Sequence, residues 1–416
     1  MSAENINKFS SSTSGSSSIA HPGTGGSNLT HVRAHNERLV LSLIRTEALS
    51  RAEIARRTGL SPQTITLITR SLSGEGLIIS GEPIKGRVGQ PSVPLQLNPD
   101  GAYFLGVKVG RRSVDMILIN FMGQVLEHRL EHYTYPTPSL ILEFLTREIP
   151  QITQSLGANI EHRLHGLGIA MPYQLWSWSD MIDAPATALE QWRDFSFTDA
   201  LSEITDLPVF MENDATSACG AELTFGNGRQ YPHFAYFFIG YFIGGALVLD
   251  GSVQAGHTGN AGAFGSLPVM DDSSPGRLLQ LIDTASVHLL EGTQQCRDAL
   301  QGDYLNHDSA FWSSGSDAIT HWIRRTSASL AMAITSVSSV TDVGAIIIDG
   351  GFPGHIRDQI VEGTQHKLSR INTRGINLPV ITAGVIGPGA RALGAARLPL
   401  FSRFLLDQSI LTNNGN

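Results

Sequence analysis

Ser61, Gln63, Thr64, Thr66 and Arg70 place base-reading chemistry in one short segment. A glutamine can bond adenine at two points. A threonine can pair with a base edge or touch a thymine methyl, and an arginine can take guanine or phosphate. Downstream runs Lys85-Gly86-Arg87-Val88-Gly89-Gln90-Pro91. Its small residues let the backbone enter a narrow minor groove beside Arg87, with Gln90 as a further polar contact.

Such side chains act only if a frame presents them. Ser50-Arg51-Ala52-Glu53 reads as a capping box, the serine oxygen and the glutamate each satisfying an orphan backbone N–H. The short helix that it opens is expected to end at Thr58-Gly59, where glycine supplies the left-handed turn. Ser61-Pro62 starts a second helix, a cap residue followed by proline at the first helical position. Ile65, Ile68 and Leu72 recur at helical spacing and should bury against a helix spanning roughly Asn36 to Arg45. Leu77 to Glu82 and Ser92 to Asn98 read as the two strands of a wing. Two short helices joined by a glycine-bearing turn and followed by a wing predict a winged helix-turn-helix.

Charge agrees. From His31 to Pro99 nine Lys/Arg face five Asp/Glu, a balance of +4, while the whole chain carries −8 and the remainder therefore −12. A basic end is segregated from an acidic body, as a double-stranded DNA partner requires. A small helical domain used only for protein contacts would explain the helix pair but not the wing or the charge.

A chain of 416 residues can build two or three domains with sizeable cores. Cys219 and Cys296, far apart, argue against a disulfide framework and suit a reducing compartment, so the cytoplasm is expected. No run of about 18 apolar residues predicts a membrane span. Met1 to about Asn28 is rich in Ser, Gly and Thr, lacks a signal peptide's apolar region, and reads as a disordered tail.

From Tyr103 onward the pattern becomes α/β. Phe104–Val109 and Val114–Asn120 form a hairpin, a helix capped by Ser139 runs over Leu140–Leu156, and His165–Ala170 is a short buried strand. Pro208–Met211 leads into Glu212-Asn213-Asp214-Ala215 and another helix. The plan then repeats, with a hairpin of Phe234–Gly240 and Ala246–Leu249 closing at Asp250-Gly251-Ser252. Strands at Val343–Ile348 and Val380–Ala383 precede a helix from about Ala390. Two lobes that open alike imply a duplicated fold with a cleft between them.

With these pieces in place the chain, from about Asn36 on, resembles the ROK family (repressor, open reading frame, kinase). The resemblance rests on Gly86-Arg87-Val88-Gly89-Gln90-Pro91, Gly168-Ile169-Ala170-Met171-Pro172, Glu212-Asn213-Asp214-Ala215 and Gly256–Gly265. It implies an α/β fold: an N-terminal winged helix-turn-helix plus a two-lobed, actin-like sugar-kinase fold. The expected divisions are a tail (1–30), the DNA-binding domain (31–99), a first lobe (100–225) and a second lobe (226–416) whose last helix returns to the first.

The resemblance also shows what has changed. Family kinases carry an Asp-x-Gly-Gly-Thr-like hairpin, with the aspartate near Mg²⁺; here the segment is Lys108-Val109-Gly110-Arg111-Arg112. A lysine cannot ligate a hard cation. The second phosphate loop, Gly-Thr-Gly-x-Gly in kinases, is Gly240-Tyr241-Phe242-Ile243-Gly244-Gly245, with two aromatics where the nucleotide needs space. Lys108, Arg111 and Arg112 then read either as an anion site or as a solvated basic turn.

Asn213 and Asp214 match the family's sugar-binding asparagine and general-base aspartate, although a turn closing a strand would account for them too. The glutamate and histidine of the Gly-x-Ala-Gly-Glu-x-Gly-His pattern are Ala263 and Ser266, leaving His257 as a nearby substitute. Loss of two hydroxyl partners weakens hexose binding by several kcal/mol in the family pose. The family's zinc motif has no counterpart at about Asp271–Gln280, which lacks cysteine, so no metal and no cofactor are expected.

Together these readings predict a non-enzymatic transcriptional regulator, a repressor of sugar uptake or catabolism genes. It would act as a homodimer or homotetramer on a palindromic operator, with recognition helices about 34–36 Å apart. A sugar or sugar phosphate would bind at Asn213, Asp214 and His257. A ligand-independent scaffold and a sugar kinase are the alternatives.

Overall fold

The computed structural model describes residues 25–83, 93–157, 160–271, 276–293 and 306–406. Helices α1 (Gly25–Thr46), α2 (Arg51–Thr58) and α3 (Pro62–Gly74) come first. Ser50 accepts from Glu53 N and caps α2, but the Glu53 carboxylate does not close the box. It bonds Arg56 and Arg57 one turn on, because charged partners at i+3 and i+4 outcompete a backbone N–H. Gly59 takes the left-handed turn at φ 69°, and Ser61 caps α3 through Thr64 N at 3.1 Å with Pro62 at its first position.

Ile54 of α2, Ile65, Ile68 and Leu72 of α3, and Leu39, Val40 and Ile44 of α1 are all buried where these three helices pack together. β1 (Ile78–Ser80) pairs antiparallel with β2 (Leu95–Leu97), and Leu49 bridges to Leu95. The wing tip, with Arg87 and Gln90, lies outside the described residues. α1 begins well before Asn36, within the stretch read from sequence as tail. Residues 31–35 are all exposed, so this part of the helix carries no apolar period.

β3 (Tyr103–Val109), β4 (Ser113–Asn120), β5 (Val125–His132), β6 (Leu164–Met171) and β7 (Val209–Asn213) form a sheet in the order β5-β4-β3-β6-β7. Between β5 and β6 lies α4 (Pro138–Leu156). Its cap is Thr137 rather than Ser139, because Pro138 takes the first helical position and shifts the cap back. α5 (Asp214–Phe225) follows β7. A second sheet holds β8 (Phe234–Ile239), β9 (Ile243–Leu249) and β10 (Ser252–Val253). Its tight turn has Asp250 at φ 51° and Gly251 at φ 70°.

β11 (Pro268–Met270) and β12 (Leu278–Gln280) make a separate antiparallel hairpin. α6 (Asp317–Thr341), β13 (Ala345–Gly350), α7 (Gly354–Leu368), β14 (Val380–Ala383) and α8 (Ala390–Arg403) complete the chain. The second sheet runs β10-β9-β8-β13-β14. In both sheets the first strand of the set is central, its hairpin partners lie to one side and the two later strands to the other. The duplication is thus one of topology as well as of pattern.

The chain divides into two compact units, and the division falls inside α8. Ala390–Gly394 packs with the second unit and Ala395–Arg403 with the first. In the first unit, α1 receives the end of this helix. Arg38 donates to Phe401 O at 2.8 Å and to Leu405 O at 3.0 Å, and Ser42 Oγ accepts from Leu406 N at 2.8 Å. A cation on the last carbonyls also complements the helix dipole. Phe404 packs on Phe121 at 5.1 Å and His165 at 5.0 Å.

Burial above all, and then the charges of Arg403 and His162, pull the His165 imidazole from 6.5 down to about 4. The folded protein keeps this ring neutral while the unfolded chain protonates it. Stability is therefore expected to fall as the pH drops from about 6.5 towards about 4. His165→Gln should flatten that decline when urea midpoints at about pH 7.5 and about pH 5 are compared with the parent. An unchanged slope would place the acid sensitivity elsewhere.

Candidate nucleic-acid interface and effector site

On α3 the buried and exposed faces separate cleanly. Gln63, Thr66, Leu67 and Arg70 are exposed, whereas Ile65, Ile68, Thr69 and Leu72 are buried. Not every polar residue of the helix keeps its donor. Ser61 Oγ accepts from Thr64 N and lies 2.9 Å from Thr64 Oγ1, while Thr66 Oγ1 donates to Pro62 O at 2.8 Å. Among the described residues Gln63 and Arg70 have no hydrogen-bond partner, so their donors remain available to a ligand. Arg56 and Arg57, by contrast, are paired with Glu53 and Glu47.

At the β7–α5 junction the sequence places Asn213 and Asp214 together, and the helix uses both. Asn213 Oδ1 caps α5 by accepting from Ala215 N at 3.0 Å and Thr216 N at 3.2 Å. Asp214 Oδ1 also accepts from Ala215 N, and its other oxygen lies 3.5 Å from Arg391 Nη1. Arg391 sits over the Phe238 ring at 4.9 Å, and its buried Nε has no acceptor among the described residues. His257 is exposed, and no hydrogen bond joins it to Asn213 or Asp214 among the described residues.

The kinase-like loops are filled from within. Lys108 is buried and donates to Ser113 Oγ at 2.7 Å and Asp115 Oδ2 at 2.5 Å. Arg111 is buried over Trp178, and Arg112 reaches the carbonyls of Thr134 and Ile182. Each of the three cations has contacts within the fold, with Lys108 and Arg111 buried and Arg112 half-buried. Tyr241 and Phe242 are buried against His288, and Tyr241 Oη donates to Glu291 at 3.0 Å.

Sequence reasoning passed over a buried polar knot in the second unit. Asp349, fully buried at the end of β13, accepts from Arg357 at 2.6 Å, Tyr236 Oη at 3.1 Å and Gly387 N at 3.0 Å. Glu222 accepts from the N–H groups of Asn227, Val385 and Ile386. Burial first, and then the Asp349 charge, hold its carboxyl above the usual range. The Asp-Gly-Gly run was the visible signal, but its partners are remote in sequence. No group of three or more His, Cys, Asp and Glu is placed to hold a metal among the described residues. No helix there is long and apolar enough to cross a membrane.

The chain is similar to the uncharacterized protein y4fQ of Sinorhizobium fredii, 26% identical over 373 residues, 89% of this chain and 91% of that protein. It is 24% identical to the xylose repressor of Bacillus subtilis over 245 residues, 58% of this chain and 62% of that one. With the N-acetylglucosamine repressor of Escherichia coli it shares 25% over 224 residues, 53% of this chain and 54% of that one. The chain thus spans less than two thirds of either named repressor.

Among solved structures, a ROK family transcriptional regulator described as a homolog of the E. coli MLC protein superposes with a TM-score of 0.66 at 22% identity. That likeness covers 92% of this chain and 99% of the other. A ROK family glucokinase from Streptomyces griseus, solved with glucose and AMPPNP, gives 0.54 at 20% identity, covering 71% of this chain and 99% of that one. The fold is an N-terminal winged helix-turn-helix followed by the two-lobed, actin-like fold of the sugar kinases. The ROK family profile itself matches residues 104–400, and the chain belongs to the ROK family.

Proposed function

We propose that this protein is a DNA-binding transcriptional regulator, a repressor of sugar uptake or catabolism genes, whose kinase-like portion senses an effector and does not catalyse phosphoryl transfer. The observation that carries the reading is the exposed stripe of α3, held out by a capped helix-turn-helix. The xylose and N-acetylglucosamine repressors among its relatives support the sugar connection. Buried Tyr241 and Phe242, and the Lys108–Asp115 pair, argue against a bound nucleotide. The expected setting is the cytoplasm, and the expected assembly a dimer or tetramer on a palindromic operator.

The effector would engage Asp214, Asn213 and the free Nε of Arg391, with His257 at the margin. Because Arg391 lies on α8 and the far end of α8 is capped by Arg38 of α1, a ligand that redirects Arg391 acts on the helix that anchors the DNA-binding helices. It can bias operator binding only through unequal affinity for two states, and a near-complete switch needs about 10⁴-fold. Arg391→Ala should keep operator binding and lose its response to the effector.

Footprinting the full-length protein on fragmented genomic DNA, with and without a mixture of sugars and sugar phosphates, tests the reading. Palindromic sites beside sugar-transport genes that weaken with the mixture are expected; no specific sites would refute it. Gln63→Ala should cost about 1–3 kcal/mol at one base position, and equal loss on every sequence would remove its reading role.

A second reading, a regulator with no small-molecule ligand, draws on the capping of α5 by Asn213 and on Ala263 and Ser266. A thermal-shift screen separates the two, since a ligand at about 100 times its Kd adds about 2.7 kcal/mol.

A further inference from the structure

The exposed stripe of α3 is not uniformly polar. Gln63, Thr66, Leu67 and Arg70 stand at i, i+3, i+4 and i+7, which places them on one face of the helix. Leu67 is 70% exposed, more than any other leucine among the described residues. It faces away from the cluster of Ile65, Ile68 and Leu72 that holds α3 on α1 and α2, so folding does not account for a leucine there. Thr66 offers no donor either, since its hydroxyl hydrogen is committed to Pro62 O at 2.8 Å. What remains to it is a methyl group and an acceptor lone pair. The face is therefore polar at both ends, with the Gln63 amide and the Arg70 guanidinium, and apolar in the middle.

A major groove offers one apolar feature to such a surface, the 5-methyl group of thymine. We infer that Leu67, seconded by the Thr66 methyl, reads the 5-methyl group of a thymine in each operator half-site, between the contacts of Gln63 and Arg70. The inference rests on α3 being the DNA-reading helix, and it adds the chemical class of base that the centre of that helix selects. Cytosine, guanine and adenine present no methyl at this position, so the same contact discriminates against them.

The test begins by selecting preferred duplexes from a randomised pool with the full-length protein. Each thymine of the selected duplex is then replaced by deoxyuridine, which removes the 5-methyl group and leaves every hydrogen-bonding edge intact. One position per half-site should weaken binding about fourfold, the effect of one buried methyl-sized group. Two half-sites altered together should give about sixteenfold. Leu67→Ala should lose most of the uracil penalty, with only the Thr66 methyl left to meet the thymine, and its unfolding midpoint should match the parent because the side chain is exposed.

Thymines that all tolerate uracil would overturn the inference while leaving the regulator reading intact. A uracil penalty that persists undiminished in Leu67→Ala would overturn it too, by assigning the methyl to another side chain. A change in oligomeric state in Leu67→Ala with no change in uracil sensitivity would make Leu67 a protein contact instead. Failure to enrich any duplex would remove the reading beneath it.

Discussion

Gly394→Ala is expected to destabilise the protein by more than about 4 kcal/mol, a loss reserved for a few mechanisms of which a forced core clash is one. Helix propensity alone predicts the opposite sign, since alanine is favoured over glycine inside a helix by about 0.8–1.0 kcal/mol. Gly394 lies within α8, and a methyl group there would stand 1.8 Å from the carbonyl oxygen of Ser217 and 2.2 Å from its carbonyl carbon. Those atoms are main chain of α5, and Ser217 is fully buried, so no side-chain rotation relieves the clash. The next residue repeats the arrangement in the other unit, where a methyl on Gly168 of β6 would lie 1.8 Å from Ala395 O. Gly389→Ala supplies the control, because nothing lies within 4 Å of the added carbon. Urea unfolding of the two variants should leave Gly389→Ala within about 0.5 kcal/mol of the parent. Similar midpoints for both would show that α8 is not seated through its glycine.

Much of the helix-turn-helix is legible because local chemistry decides it. Gly59 can take a positive φ without cost, Ser61 has the oxygen for an N-cap, and Pro62 has no N–H to lose. The strands of both sheets are legible where they are buried and apolar, as Phe234–Ile239 shows. β5 is not, because Val125–His132 is an edge strand whose alternation is inverted: Glu127, Arg129 and Glu131 are half-buried while Leu126 and Leu130 stay exposed.

Competition between local partners explains the errors at Glu53 and Ser139, where neighbours outbid the expected bond. For the site, helical period separates Gln63, Thr66 and Arg70 from the core face. The same habit that sends apolar residues inward passes over Leu67, which sits on the polar face. Arg391 is illegible for another reason: its partner Asp214 is brought to it only by the fold. Lys108 follows that rule, since its partner Asp115 reaches it across the β3–β4 hairpin register.

Asp349→Ala should cost about 3–5 kcal/mol, the loss typical of breaking a buried ion pair from one side. The carboxylate serves Arg357 at 2.6 Å, the Tyr236 hydroxyl and the N–H of Gly387, so truncation leaves a buried cation, a hydroxyl and a backbone donor without their acceptor. Asp349→Ala with Arg357→Met should recover part of the loss, because a pair replaced together by apolar groups leaves no lone charge behind. Their interaction energy, read from a double-mutant cycle of urea midpoints, is expected to exceed 1 kcal/mol.

The position of Asp349 also bears on the start of α8. Gly387 opens the short turn that runs directly into α8, so Asp349 sets an anion at the start of this helix while Arg38 sets a cation at its end. Both charges complement the helix dipole. Each end of α8 is thus rooted by a charge, Asp349 within the second unit and Arg38 within the first. If the double variant regains stability and the effector still releases operator DNA, the charge at that root is structural only. If stability returns but the effector no longer releases DNA, the Asp349 root is part of the transmission from Asp214 and Arg391 to α1.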